Sequence, residues 1–92
     1  MQETRASQDE LYQRVVSEYG AALGRLAYAY EADSDRRRDL VQEIHLALWR
    51  SFAIFGERCS LRTWVYRVAH NVATSHVIRQ SRINGPTFLT LE

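Results

Sequence analysis

Residues 60–79 contain neither proline nor glycine, and their apolar side chains recur at spacings of three and four. At about 100° per residue, Leu61, Val65, Val68, Ala69, Val72 and His76 fall on one side of a helix, the stripe expected of a helix lying on a core. The same spacing runs through residues 7–30, where Leu11, Val15, Val16, Tyr19, Leu23, Leu26, Ala27 and Tyr30 form a stripe that Gly20 and Gly24 weaken without ending. It recurs over residues 36–53 with Leu40, Ile44, Ala47, Leu48 and Ser51 facing inward. Between the first two segments, Glu31-Ala32-Asp33-Ser34-Asp35 is rich in residues that cap helices. Between the last two, residues 52–60 break the period, Gly56 supplies backbone freedom, and Ser60 is placed to cap the third helix. These features predict an all-α chain, a compact bundle of three to four helices over residues 1–82. Asn84-Gly85-Pro86 then stops any helix, so residues 83–92 read as the start of a linker.

The faces turned away from the stripes carry the chemistry. On the third helix Thr63, Arg67, His70, Asn71 and Thr74 line the polar side, with Trp64 on the border. Such a row can contact phosphates, hydrogen-bond base edges and stack on a base. It equally describes a solvated polar face with Trp64 as an ordinary core residue. The net charge of +1 conceals an asymmetry: between Glu57 and Glu92 no acid occurs, whereas Arg58, Arg62, Arg67, Arg79 and Arg82 do. That half can attract a phosphate backbone. On the second helix Gln42, His45, Leu46 and Trp49 point away from the stripe, and Leu46 with Trp49 makes an apolar patch of the kind found at protein contacts. The other placement open to Trp49 is folded down on a neighbouring helix.

Several classes are disfavoured. Cys59 is the single cysteine, and with His45, His70 and His76 it forms no recognised ligand spacing, so neither a disulfide, a metal site nor a cofactor is expected. No nucleophile with a base, carboxylate dyad or glycine-rich phosphate loop stands out, so the chain is not expected to be an enzyme. With no apolar signal region or run of about 18 apolar residues, it is expected to stay in the cytoplasm, away from membranes.

The run Asp39-Leu40-Val41-Gln42-Glu43, then Leu48-Trp49-Arg50, Phe55-Gly56, and Ser60-Leu61-Arg62-Thr63-Trp64-Val65-Tyr66-Arg67-Val68-Ala69-His70-Asn71, resembles region 2 of extracytoplasmic-function (ECF) sigma factors of the sigma-70 family. The resemblance covers residues 11–82 and rests on several motifs in order. It implies a domain that binds core RNA polymerase and recognises and melts the minus-ten promoter element through the single-stranded non-template strand. The beta-prime clamp helices would be gripped by Asp39, Gln42, Glu43, His45, Leu46, Trp49 and Arg50. The loop and the start of the third helix would receive a flipped base, bringing Arg58, Cys59, Ser60, Arg62, Thr63 and Trp64 to the DNA beside Arg67, His70, Asn71 and Thr74; Phe55 reads as a core anchor. An anti-sigma factor is a further implied partner. The family's second domain, which reads the minus-thirty-five element, finds no room here. That leaves an alternative: a truncated sigma-like interaction module that binds polymerase or an anti-sigma factor without reading DNA. An autonomous duplex-binding helix-turn-helix fits less well, because no compact turn precedes the presumed reading helix. Thr74-Ser75-His76 departs from the family, where an acid commonly follows the His-Asn pair.

Overall fold

The computed structural model describes residues 7–83, which form α1 (Gln8–Tyr30), α2 (Ser34–Ser51) and α3 (Leu61–Ile83). Each helix begins on a side-chain cap. Ser7 and Glu10 close a reciprocal box, the Ser7 hydroxyl accepting from the Glu10 N–H at 3.1 Å and the Glu10 carboxylate from the Ser7 N–H at 2.8 Å. Asp33 accepts from the Arg36 N–H at 2.9 Å, and Ser60 from the Thr63 N–H at 3.0 Å. The acids Asp9, Glu10 and Asp35 in first turns and Arg50 and Arg82 in last turns complement the helix dipoles.

Contacts between elements set the topology. Trp49 meets Asp9 and His45 meets Tyr12, so α2 runs antiparallel to α1. Trp64 meets Ser51 and Arg79 meets Glu43, so α3 returns antiparallel to α2. The chain thus goes up, down and up. Its core joins Leu11, Val15, Leu23 and Ala27 of α1 to Leu40, Ile44 and Leu48 of α2 and Val65, Ala69 and Ala73 of α3, closed at one end by Phe52 and Phe55 of the connector. The small side chains Ala69 and Ala73 let α3 approach its neighbours closely.

The expected stripes hold with local corrections. Val16 is 38% exposed and lies off the core, whereas Ala73, absent from the expected stripe, is fully buried. α2 begins two residues before the expected start, directly after its Asp33 cap, and ends two residues early, where the Ala53 and Ile54 N–H groups bond only three residues back and tighten the chain into turns. α3 continues to Ile83, so that residue is helical rather than linker. The rest of the expected linker lies outside the described residues. No helix among the described residues is long and apolar enough to cross a membrane.

The α2–α3 connector turns on two consecutive left-handed residues, Gly56 (φ 64°) and Glu57 (φ 58°). A Cβ on Gly56 would meet only the Ile54 carbonyl at 3.8 Å, an ordinary contact, so substitution strains the backbone alone. Gly56→Ala is expected to destabilise the domain by about 1–2 kcal/mol in chemical denaturation, the left-handed penalty for an L-residue. An unchanged midpoint would show that this turn relaxes to another conformation.

Candidate nucleic-acid interface

The expected DNA face of α3 is divided in three by what its residues touch. At the helix start, Ser60 and Thr63 are engaged in capping: Ser60 Oγ accepts from the Thr63 N–H and donates to Thr63 Oγ1, both at 3.0 Å. Toward α1, the Arg62 guanidinium lies 5.2 Å from the centre of the Tyr66 ring, and His70 Nδ1 shares a 2.8 Å hydrogen bond with the Tyr30 hydroxyl. Thr74 is exposed on the outer surface. Toward α2 and the connector stand Trp64, Arg67 and Asn71, which divide between two cavities.

The first cavity, of about 480 Å³, is lined by Ile54, Phe55, Gly56, Arg58, Cys59, Trp64 and Arg67. Trp64 is half-buried and fixed in place, its indole N–H donating to Ser51 Oγ at 2.8 Å while Ser51 Oγ donates to the Leu48 carbonyl at 2.8 Å. Phe55 lies against it with ring centres 5.1 Å apart. The expected core role of Phe55 holds, and the ring also lines the cavity. Neither Arg58 nor Arg67 makes an ion pair or side-chain hydrogen bond among the described residues, so two cations stand at an aromatic-walled hollow. Ile54, 77% exposed at its edge, is a lining residue that periodicity could not flag, because it sits where the helical pattern is broken.

Asn71 belongs to a second cavity of about 410 Å³ in the crease between α2 and α3. It is lined by Glu43, Leu46, Ala47 and Arg50 of α2 and by Asn71, Val72, Ser75 and Arg79 of α3. Both Glu43 carboxylate oxygens accept from Arg79 Nη2 at 3.0 Å. Arg79 is therefore paired rather than part of a free basic patch.

The surface expected to grip polymerase also divides. Asp39, Gln42, Glu43, Leu46 and Arg50 are exposed, but His45 and Trp49 turn toward α1. His45 Nδ1 and the Tyr12 hydroxyl lie 2.9 Å apart, and burial lowers the pKa of the imidazole. The Trp49 indole donates to Asp9 Oδ1 at 2.9 Å, and Gln8 Nε2 donates to the Trp49 carbonyl at 2.7 Å. Trp49, 38% exposed, has thus folded onto α1, and Leu46 lies toward α3. The two make no common outward patch. Each of Val41, His45 and Trp49 follows a buried residue, Leu40, Ile44 or Leu48, by one position, which carries all three to the same flank of the core stripe.

The pair that sequence reasoning missed joins His76 to Glu31. His76 is 4% exposed, and its Nε2 lies 2.9 Å from Glu31 Oε1. Glu31 also accepts from the Asp33 N–H at 3.0 Å and from Arg36 Nε at 3.4 Å. These bonds, the one to His76 foremost, hold its carboxyl below the usual range against the opposing effect of burial. A histidine at an apolar position of a stripe signals a buried partner, yet nothing in spacing names one that lies 45 residues away.

Residues 15–83 match the family described as Sigma-70 region 2, and the chain belongs to that family. It is similar to the ECF RNA polymerase sigma factor SigG of Mycobacterium tuberculosis, 39% identical over 51 residues that cover 55% of this chain and 14% of that protein. It is also similar to the ECF RNA polymerase sigma factor SigX of Bacillus subtilis, 27% identical over 75 residues covering 82% of this chain and 39% of that protein. The chain thus matches well under half the length of each of these relatives. No solved structure matches it.

Proposed function

We propose that this chain is the promoter-opening domain of an ECF sigma factor, a non-enzymatic initiation factor that binds core RNA polymerase and captures the unpaired non-template strand of the minus-ten element. The observation that carries this reading is the cavity beside Trp64, an aromatic hollow edged by Arg58 and Arg67 in a chain of the sigma-70 region 2 family. An unstacked base entering it would lie against Trp64 and Phe55 while the arginines hold the neighbouring phosphates. Unstacking a base costs a few kcal/mol and an aromatic stack returns roughly 1–3 kcal/mol, so backbone contacts must supply the rest. Polymerase docks on the outer surface of α2 around Asp39 and Gln42, which leaves the cavity open to DNA.

Titration of labelled single-stranded and duplex promoter oligonucleotides tests the reading. Single strands are expected to bind more tightly, and Arg67→Ala should weaken many sequences together and lower the log–log salt slope by about 0.7, one single-strand phosphate contact. Equal affinity for duplex and single strand would replace this reading with that of an interaction module.

A further inference from the structure

Ser51 is the one polar residue in the inward stripe of α2. It is half-buried and ends the helix, and its hydroxyl bridges two groups. The hydroxyl hydrogen goes to the Leu48 carbonyl at 2.8 Å, which leaves only lone pairs for the Trp64 indole N–H, also at 2.8 Å. A serine that merely bonds back to its own helix needs only the first of these contacts. The second reaches 13 residues along the chain and crosses from α2 to α3.

Two contacts restrain the indole, and they do different things. Phe55 lies against the ring with centres 5.1 Å apart and planes inclined at 51°, and Phe52 meets Phe55 edge to face at 6.1 Å. Dispersion against Phe55 holds the ring in place but is nearly indifferent to where the N–H points. The bond to Ser51 sets that direction. An indole N–H can only donate, so without the Ser51 hydroxyl it must turn toward water to be satisfied. Ser51 is not among the residues that line the Trp64 cavity, so any effect it has on a bound base passes through Trp64.

We propose that Ser51 is a positioning residue for base capture, its hydroxyl orienting the Trp64 indole so that the aromatic wall of the cavity is formed before the strand arrives. The inference rests on the single-strand reading above. Ordering a side chain that turns freely in the empty protein subtracts from affinity, and a side chain already held does not incur that loss. The dependence on Ser51 must vanish with the indole. Trp64→Phe removes the N–H that would seek water, and the ring then stays on Phe55 by contact alone.

The experiment is a double-mutant cycle on the whole chain, with wild type, Ser51→Ala, Trp64→Phe and the pair each titrated with a fluorescein-labelled single-stranded promoter oligonucleotide and each unfolded in denaturant. Ser51→Ala should lower affinity about two- to fivefold, at most the weight of one ordinary hydrogen bond, and should have no effect in the Trp64→Phe background. Ser51→Thr, which keeps the hydroxyl, should bind like wild type, whereas Ser51→Val, matched to it in shape, should reproduce the loss. The emission of Trp64, read in the Trp49→Phe background where it is the only indole, should shift to the red with Ser51→Ala and stay in place with Ser51→Thr. Lost stability with unchanged affinity would make Ser51 a helix-end residue only and refute the proposal; Arg67→Ala, still weakening binding, would then keep the single-strand reading. An equal loss of affinity in both backgrounds would refute it as well, since the hydroxyl would act by a route other than the indole. Wild type that binds no single strand overturns the functional reading, and the proposal falls with it.

Discussion

Trp64→Ala is expected to lose about 3 kcal/mol of stability and to weaken single-strand binding at the same time. The stability figure lies at the low end for removing a buried tryptophan, because the indole is half-buried rather than enclosed. Two contacts go with it: the ring face against Phe55 and the N–H bond that ties the start of α3 to Ser51 at the end of α2. Binding should fall by the roughly 1–3 kcal/mol that one base–aromatic stack contributes. Trp64→Phe separates the roles, since phenylalanine keeps a stacking face but cannot donate to Ser51. It should give up about 1 kcal/mol of stability, a typical single hydrogen bond, and retain most of the binding. Denaturation curves and oligonucleotide titrations on the same preparations decide the matter. A stability loss under about 1 kcal/mol for Trp64→Ala would mean that the indole is not packed as described.

The contrast between α2 and α3 shows where helical periodicity informs and where it misleads. On α3 one stripe describes the buried side well, because Leu61, Val65, Val68, Ala69 and Val72 all pack on or into the core. Ala73 escaped because an alanine contributes little hydrophobic signal, although it lies one turn beyond Ala69 and is as deeply buried. On α2 the buried arc is wider than one stripe, since the helix packs against α1 on one flank and α3 on the other. His45 and Trp49 fall on the α1 flank, and a wheel drawn around Leu40, Ile44 and Leu48 places them outside.

Charge was legible as a sequence interval and only partly as a surface. The acid-free stretch after Glu57 does hold Arg58, Arg62 and Arg67 clear of carboxylates, but Arg79 meets Glu43, which arrives from α2. Proximity across helices is the information that linear spacing lacks. The motifs carried the family and the all-α bundle, while the division of the polar face into an α1 side, a connector cavity and an α2 crease required the packing of all three helices.

The second large effect is expected at Glu31, the residue through which the α1–α2 turn holds α3. Glu31→Ala would leave the His76 ring without its acceptor in a nearly closed site and free the Asp33 N–H and Arg36 as well, at a cost of roughly 2–4 kcal/mol. The same carboxyl makes the fold acid-sensitive. Its pKa is lowered in the folded state, chiefly by the His76 bond, so on acidification the unfolded chain takes up the proton first. Its contribution is therefore complete above its ordinary value of 4.5 and disappears as pH falls through the lower folded value. His45 adds an earlier step of the same sign: burial keeps the folded imidazole neutral, so stability begins to fall as pH drops below the ordinary 6.5 and levels off beneath the lowered value. Denaturation midpoints followed from about pH 7 down to about pH 3 should show both steps. Glu31→Gln, which keeps an acceptor for His76 but cannot titrate, should flatten the lower step and leave the upper one. Parallel loss of stability below pH 4.5 in wild type and Glu31→Gln would assign the acid step to another carboxylate.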